Sequence, residues 1–221
     1  MGGVRGRTHP PVKPLGILGG TFDPVHHGHL RLALEAQAAL GLSGVRLIPA
    51  RRQPLREETM ASPARRLEML TLAIEGESAL TTDDRELRRE GPSYTIDTLT
   101  SLREELPRVP LCLLMGGDSW EGLERWHRWR ELIDLAHLVV VHRPGYPGVS
   151  AARCRQRFDR EPAAGPGALA ATPAGEVLAL ALPPLAISAT RIRTLLREGG
   201  NPRYLLPDPV LQYIRNHRLY T

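Results

Sequence analysis

The stretch GILGGTFDPVHHGHL, residues 16–30, limits what this chain can fold into more than any other. An apolar run ending at Leu18 meets Gly19-Gly20, then Thr21-Phe22-Asp23-Pro24, then His26-His27-Gly28-His29, and an alanine- and leucine-rich helical pattern follows at once. A buried strand, a tight glycine turn and a helix that starts in a crevice satisfy that order. The free N–H groups and positive dipole end of such a helix favour an anion, phosphate above all. His26 and His29, three residues apart, fall at that end. Their spacing leaves three readings open: donors to a phosphate chain, a metal site shared with Asp23, or ordinary polar residues of a helix start.

The rest of the chain alternates in the same way. Apolar runs predict strands over Pro14 to Leu18, Val45 to Pro49, Ala79 to Thr82, Leu111 to Met115, Leu138 to Val141 and Glu176 to Leu182. Helical spacing runs from His29 to Leu40 and from Ser62-Pro63 to about Glu75, with Ser62 as cap. It returns from Tyr94 to Leu106, where Ser93 is the expected cap, in a short helix ending at Leu135, from Ile187-Ser188-Ala189-Thr190 to Glu198, and from Pro209 to His217. Strand–helix alternation predicts one doubly wound α/β domain of Rossmann-like type, residues 14–221, with a mainly parallel sheet, helices on both faces and a helical end segment. Residues 1–13 read as a disordered Gly-, Pro- and Arg-rich tail. The polar loop from Ala50 to Ser62 carries Arg51, Arg52 and Arg56, and the low-complexity stretch from Asp159 to Gly175 reads as a surface loop.

Charge narrows the chemistry. The formal net charge is +5, yet Lys13 is the only lysine. A Walker A loop and a Schiff-base lysine are thereby excluded, and anions must be met by arginine, histidine or backbone N–H groups. The arginines are scattered and often sit beside glutamates, which favours acidic small-molecule substrates over nucleic acid. No apolar run approaches the ~20 residues of a membrane span. Two cysteines in unlike contexts, Cys112 and Cys154, suggest no disulfide framework, so a reducing cytoplasm is the expected setting.

Polar clusters follow three of the strands: Gly19-Gly20-Thr21, Gly116-Gly117-Asp118 and Ser188-Ala189-Thr190. The last, with Arg191 and Arg193, offers hydroxyls, helix N–H groups and guanidiniums to an anion, or is a plain cap. Asp118 could accept from a ribose or cap a helix. Trp126 could stack on a planar ring or pack in a core.

Taken together, these residues resemble a known family. Gly19 to His29 resembles the HxGH signature of the nucleotidyltransferase superfamily, and Ile187 to Arg193 its ISSTxxR partner, with Ala189 in the second serine position. The run Ser93-Tyr94-Thr95-Ile96-Asp97-Thr98-Leu99, Gly116-Gly117-Asp118-Ser119, Trp126 and His142-Arg143-Pro144-Gly145-Tyr146 extend the resemblance to the bacterial nicotinate-nucleotide adenylyltransferases.

That resemblance implies adenylyl transfer from ATP to nicotinate mononucleotide, with Mg²⁺, giving deamido-NAD and pyrophosphate in NAD biosynthesis. It implies catalytic roles for His26, His29 and Arg193, with His29 nearer the transferred phosphorus. Gly19, Gly20, Thr21, Phe22, Ile187, Ser188, Thr190 and Arg143 join them around ATP. On the acceptor side it implies Trp126 against the pyridine ring, Thr95 and nearby backbone at its carboxylate, and Asp118 at the ribose, with Gly116 and Arg56 alongside. Two departures stand out. Where the family usually carries a proline-proline-histidine-lysine-like run, this chain has Gln53-Pro54-Leu55-Arg56, and His127 follows Trp126 where a phenol is common. Acceptors left open are nicotinamide mononucleotide or another small phosphate, with a non-catalytic nucleotide- or nucleic-acid-binding domain as a different class of reading.

Overall fold

The computed structural model describes residues 12–55, 59–142, 149–183 and 185–221. All but two residues of the expected tail therefore lie outside it, as do Arg56 and Arg143.

Six parallel strands form one sheet: β1 (Leu15–Gly20), β2 (Val45–Pro49), β3 (Leu80–Thr82), β4 (Leu111–Gly116), β5 (His137–His142) and β6 (Val177–Ala181), in the spatial order β3-β2-β1-β4-β5-β6. The order reverses between β1 and β4, and at such a switch point an open α/β sheet binds its ligand. The pairing shows how the crevice opens there. β1 pairs with β2 along its length, from Gly16 opposite Val45 to Gly20 opposite Pro49. It pairs with β4 only from Leu15 opposite Leu111 to Ile17 opposite Leu113. Beyond that point Leu18–Gly20 and Leu114–Gly116 part company, and all six residues line the crevice.

Helices cover both faces. They are α1 (His27–Leu40), α2 (Pro63–Ala73), α3 (Arg85–Arg88), α4 (Thr95–Glu105), α5 (Gly117–Glu121), α6 (Leu132–Leu135), α7 (Ala151–Phe158), α8 (Ala189–Arg197) and α9 (Asp208–Asn216). Successive strand residues serve opposite cores, as the two-residue period requires. Leu18, Cys112, Leu114 and Val139 pack with α1, α8 and α9, whereas Ile17, Leu113, Leu138 and Val140 pack with α4 and α6.

Several sequence expectations need correction. The glycines Gly19 and Gly20 belong to β1 itself, since both pair with β2, so the turn begins only at Thr21. Helix α1 starts at His27, with His26 as its N-cap. Ser62 caps α2 as expected, accepting from the Arg65 N–H, but Ser93 does not cap α4. Its hydroxyl accepts from the Arg51 N–H at 2.9 Å and its own N–H donates to the Arg52 carbonyl at 2.8 Å. The cap position falls to Tyr94, and Ser93 holds the loop after β2 instead.

The stretch 159–175 is not merely a surface loop. It contains a 3₁₀ helix, Pro166–Ala170, whose Leu169 is fully buried. His137 Nε2–H donates to the Thr172 carbonyl at 2.9 Å, and Nδ1 accepts from the Glu176 N–H at 3.1 Å. Residues at 151–158, unassigned from the sequence, form α7, capped by Ser150.

Candidate active site

The splayed ends of β1 and β4 open into a crevice of about 1160 Å³. Every described residue predicted for the site lines it: Gly19, Gly20, Thr21, Phe22, His26, His29, Thr95, Gly116, Asp118, Trp126, Ile187, Ser188, Thr190 and Arg193. Residues separated by up to 174 positions are thus brought to one place by strand order alone.

On one side stand the N-termini of α1 and α8. His26 takes the extended conformation of an N-cap, and its N–H donates to His29 Nδ1 at 3.3 Å. An imidazole that accepts at Nδ1 carries its hydrogen on Nε2 when neutral, so this bond fixes the His29 tautomer. The two rings stack, centroids 3.7 Å apart and planes 22° apart. Burial, with a smaller contribution from His27, pushes the His26 pKa down to about 4. His26 is therefore neutral at pH 7. His26 Nδ1 and Thr21 Oγ1 are buried and find no hydrogen-bond partner among the described residues, which marks where a polar ligand atom fits.

Glycine and phenylalanine arrange this corner. A Cβ on Gly28 would stand 3.0 Å from the His26 ring, and one on Gly20 would stand 2.9 Å from Phe22. Phe22 is buried and meets the His29 ring edge-on at 5.0 Å, so it forms the floor beneath that histidine. Gly19 and Gly116 face open space, where a ligand can approach the backbone.

From α8, the Ser188 hydroxyl caps the helix by accepting from the Arg191 N–H at 3.2 Å. Arg193 reaches across to the first loop and donates from Nη1 to the Asp23 carbonyl at 2.7 Å. Asp23 is no metal ligand here. Oδ1 accepts from the Ala61 N–H and the Tyr220 hydroxyl, and Oδ2 accepts from the Met60 N–H. Among the described residues no group of three or more His, Cys, Asp or Glu could hold a metal ion.

The opposite side offers two further helix starts. Thr95 opens α4, whose N-cap Tyr94 provides no side-chain acceptor to its first N–H groups, and both residues line the crevice. Gly116 precedes α5, with Asp118 in the first turn. Trp126 is half-buried against the α4 core. His127, which departs from the family pattern, lies 4.5 Å from the Tyr94 ring.

Sequence reasoning missed Glu86, Arg125 and the buried Arg66. Glu86 lines the crevice, accepts from the Thr98 hydroxyl at 2.7 Å, and has its pKa raised by burial. It looked like part of a solvated charge run. Arg66 donates from Nη1 to Thr21 O at 2.6 Å, from Nη2 to Ala50 O at 2.6 Å and Arg51 O at 3.2 Å, and from Nε to Ala61 O at 3.3 Å. Its position three and four residues before the buried Met69 and Leu70 was the available signal.

The profile of the cytidylyltransferase-like family matches residues 17–195. The chain is 49% identical over 207 residues to a protein of Aeromonas hydrophila named probable nicotinate-nucleotide adenylyltransferase, covering 94% of this chain and 97% of that one. A protein of the same name from Dechloromonas aromatica is 48% identical over 212 residues, covering 94% and 98%. Among solved structures, Plasmodium falciparum nicotinic acid mononucleotide adenylyltransferase complexed with NaAD superposes with a TM-score of 0.73 at 17% identity, covering 94% of this chain and 97% of that one, a likeness of fold.

Proposed function

The chain belongs to the cytidylyltransferase-like family, among the nicotinate-nucleotide adenylyltransferases, and on that footing we propose how its crevice divides the work of the reaction. It is an enzyme that transfers the adenylyl group of ATP to nicotinate mononucleotide, giving deamido-NAD and pyrophosphate. The observation that carries the division of labour is the shared crevice, with two helix N-termini and Arg193 on one side and two more helix starts with Trp126 on the other.

The mononucleotide phosphate is already an ionised nucleophile, so the protein has to position it and neutralise charge. ATP takes the α1–α8 side. Gly19 and Gly20 admit its backbone-facing atoms, and Ser188, Thr190 and Arg193 hold the triphosphate beside Ile187. His29 Nε2–H points to the α-phosphate oxygens and stabilises the charge that grows there in flight, with neutral His26 and the Thr21 hydroxyl as further hydrogen-bonding partners. Arg193, with Nη1 fixed on the Asp23 carbonyl and Nη2 beside the Thr190 hydroxyl at 3.4 Å, offers its remaining N–H groups to the departing pyrophosphate.

Nicotinate mononucleotide takes the α4–α5 side. Trp126 stacks on the pyridine ring, the N–H groups at Thr95 receive the ring carboxylate, and Asp118 with the open backbone at Gly116 receives the ribose. Arg56 and Arg143 remain the proposed outer cations, though both lie outside the described residues. Mg²⁺ fits as a partner of the ATP phosphates and water, not of a protein cage, because Asp23 has both oxygens engaged. Bound there, it would neutralise triphosphate charge. Residues 14–221 act as one domain in this reading, with no nucleic-acid or membrane partner. No helix among the described residues is long and apolar enough to cross a membrane, and the cytoplasm is the proposed location.

The test is pyrophosphate release from ATP and Mg²⁺ with each mononucleotide in turn. Release with nicotinate mononucleotide, and slower release with the nicotinamide form, is expected. Folded protein that releases none with the acid would overturn the assignment.

A further inference from the structure

Asp23 lies inside the phosphate-binding motif and lines the crevice, yet it is almost completely buried. Four groups converge on this one residue from three parts of the chain. The N–H groups of Met60 and Ala61 donate to its carboxylate at 2.8 and 3.1 Å, and the Tyr220 hydroxyl donates to Oδ1 at 2.6 Å. Arg193 donates to its main-chain carbonyl at 2.7 Å. Tyr220 itself is 5% exposed, and burial, reinforced by the Asp23 carboxylate, pushes its phenol well above the usual range. The phenol is therefore a permanent donor.

We propose that Tyr220 is a positioning residue for the adenylyl transfer: by holding Asp23 it fixes the carbonyl on which Arg193 is anchored, and so sets the guanidinium against the ATP triphosphate. Three features support this over a purely structural bond. The same residue, Asp23, receives both Tyr220 and Arg193, so a shift in one contact moves the other. Asp23 precedes His26 by three residues, in the loop that delivers both histidines. The loop is also fixed by Arg66, which joins its Thr21 carbonyl to the Ala61 carbonyl ahead of α2, so removal of the Tyr220 bond frees one edge of a loop that stays folded. Tyr220 touches neither substrate in this arrangement. Its effect is transmitted through Asp23 and Arg193, and it belongs to the ATP half alone.

The proposal rests on Arg193 as a triphosphate ligand, and the experiment separates the two. Steady-state kinetics are measured for Tyr220→Phe, Arg193→Ala and the double variant, with folding checked by circular dichroism. Tyr220→Phe, which removes one hydroxyl and leaves two N–H donors on Asp23, is expected to raise KM for ATP about 5- to 10-fold, the scale of one ordinary net hydrogen bond. KM for nicotinate mononucleotide should stay within about twofold, since uncoupled sites do not share energy. In the Arg193→Ala background the tyrosine substitution should add nothing, because its route is gone. If Tyr220→Phe lowers only the melting temperature, or if the two substitutions multiply, the positioning role is wrong. If Arg193→Ala itself leaves KM for ATP unchanged, the underlying triphosphate assignment fails instead. Should Tyr220→Phe not fold, Asp23→Asn carries the same expectation and the same two ways to fail.

Discussion

The imidazoles of His26 and His29 lie face to face, with centroids 3.7 Å apart and planes inclined by 22°. Two positive charges so close in a half-buried corner would repel strongly. Burial pushes the His26 pKa down to about 4, so that ring adds no charge beside His29 at pH 7. His29, tied through Nδ1 to the backbone of its neighbour, is left as the directed donor.

Replacing His29 with alanine should therefore cut kcat by about 10²-fold or more, as expected for a donor aimed at developing charge. Its ring is not fully buried, so thermal unfolding should shift little. Unchanged turnover in the alanine variant would assign His29 to packing against Phe22.

Gly28→Ala tests the same corner from the backbone. The added Cβ would meet the His26 ring at 3.0 Å, and the ring must yield by a few tenths of an ångström. A loss of about 10-fold in kcat is expected at a destabilisation of about 1 kcal/mol, the low end for overpacking. Urea titration and initial rates on the same preparation read both quantities.

Arg66→Met should be far more costly to stability. Fully buried, Arg66 donates to four carbonyls drawn from the two loops that follow β1 and β2 and from the α2 start. Methionine fills the space but leaves those acceptors unmet and Asp23 without its neighbouring charge. A loss of about 3 kcal/mol or more is expected from chemical denaturation.

The pH dependence of stability follows from two histidines. His26 and His137 both have pKa values lowered by burial, His26 to about 4. The unfolded chain takes up their protons first, so their contribution is complete above about pH 6.5 and is lost as the pH falls towards the folded value. Glu86, raised by burial, contributes in the opposite sense. Midpoints of urea unfolding between pH 7 and 4.5 should fall with pH, and His137→Asn should flatten that fall. A profile level across this range would contradict the assignment.

Much of this architecture was legible in the sequence because periodicity and glycine context report local geometry. Val45 to Pro49 was readable to the residue, since an apolar run between turn residues has few other uses. The crevice residues were readable because polar clusters directly follow strands. What stayed hidden depends on distant partners. Arg66 and Tyr220 carry no local sign of the loop they serve, and Ser93 looked like a cap until the loop after β2 took its hydroxyl. Leu169 lies in a stretch whose alanines, prolines and glycines have no period, so its burial comes from the distant core it joins beside α1.

The bond between Asp23 and Tyr220 spans 197 positions. During synthesis at about 5–20 residues per second, the loop that carries both histidines leaves the ribosome roughly 10 to 40 s before the tyrosine that steadies it. The nascent chain thus exposes the nucleotide motif long before it can use it. The first loop gains its last anchor only when the turn beyond α9 packs behind it.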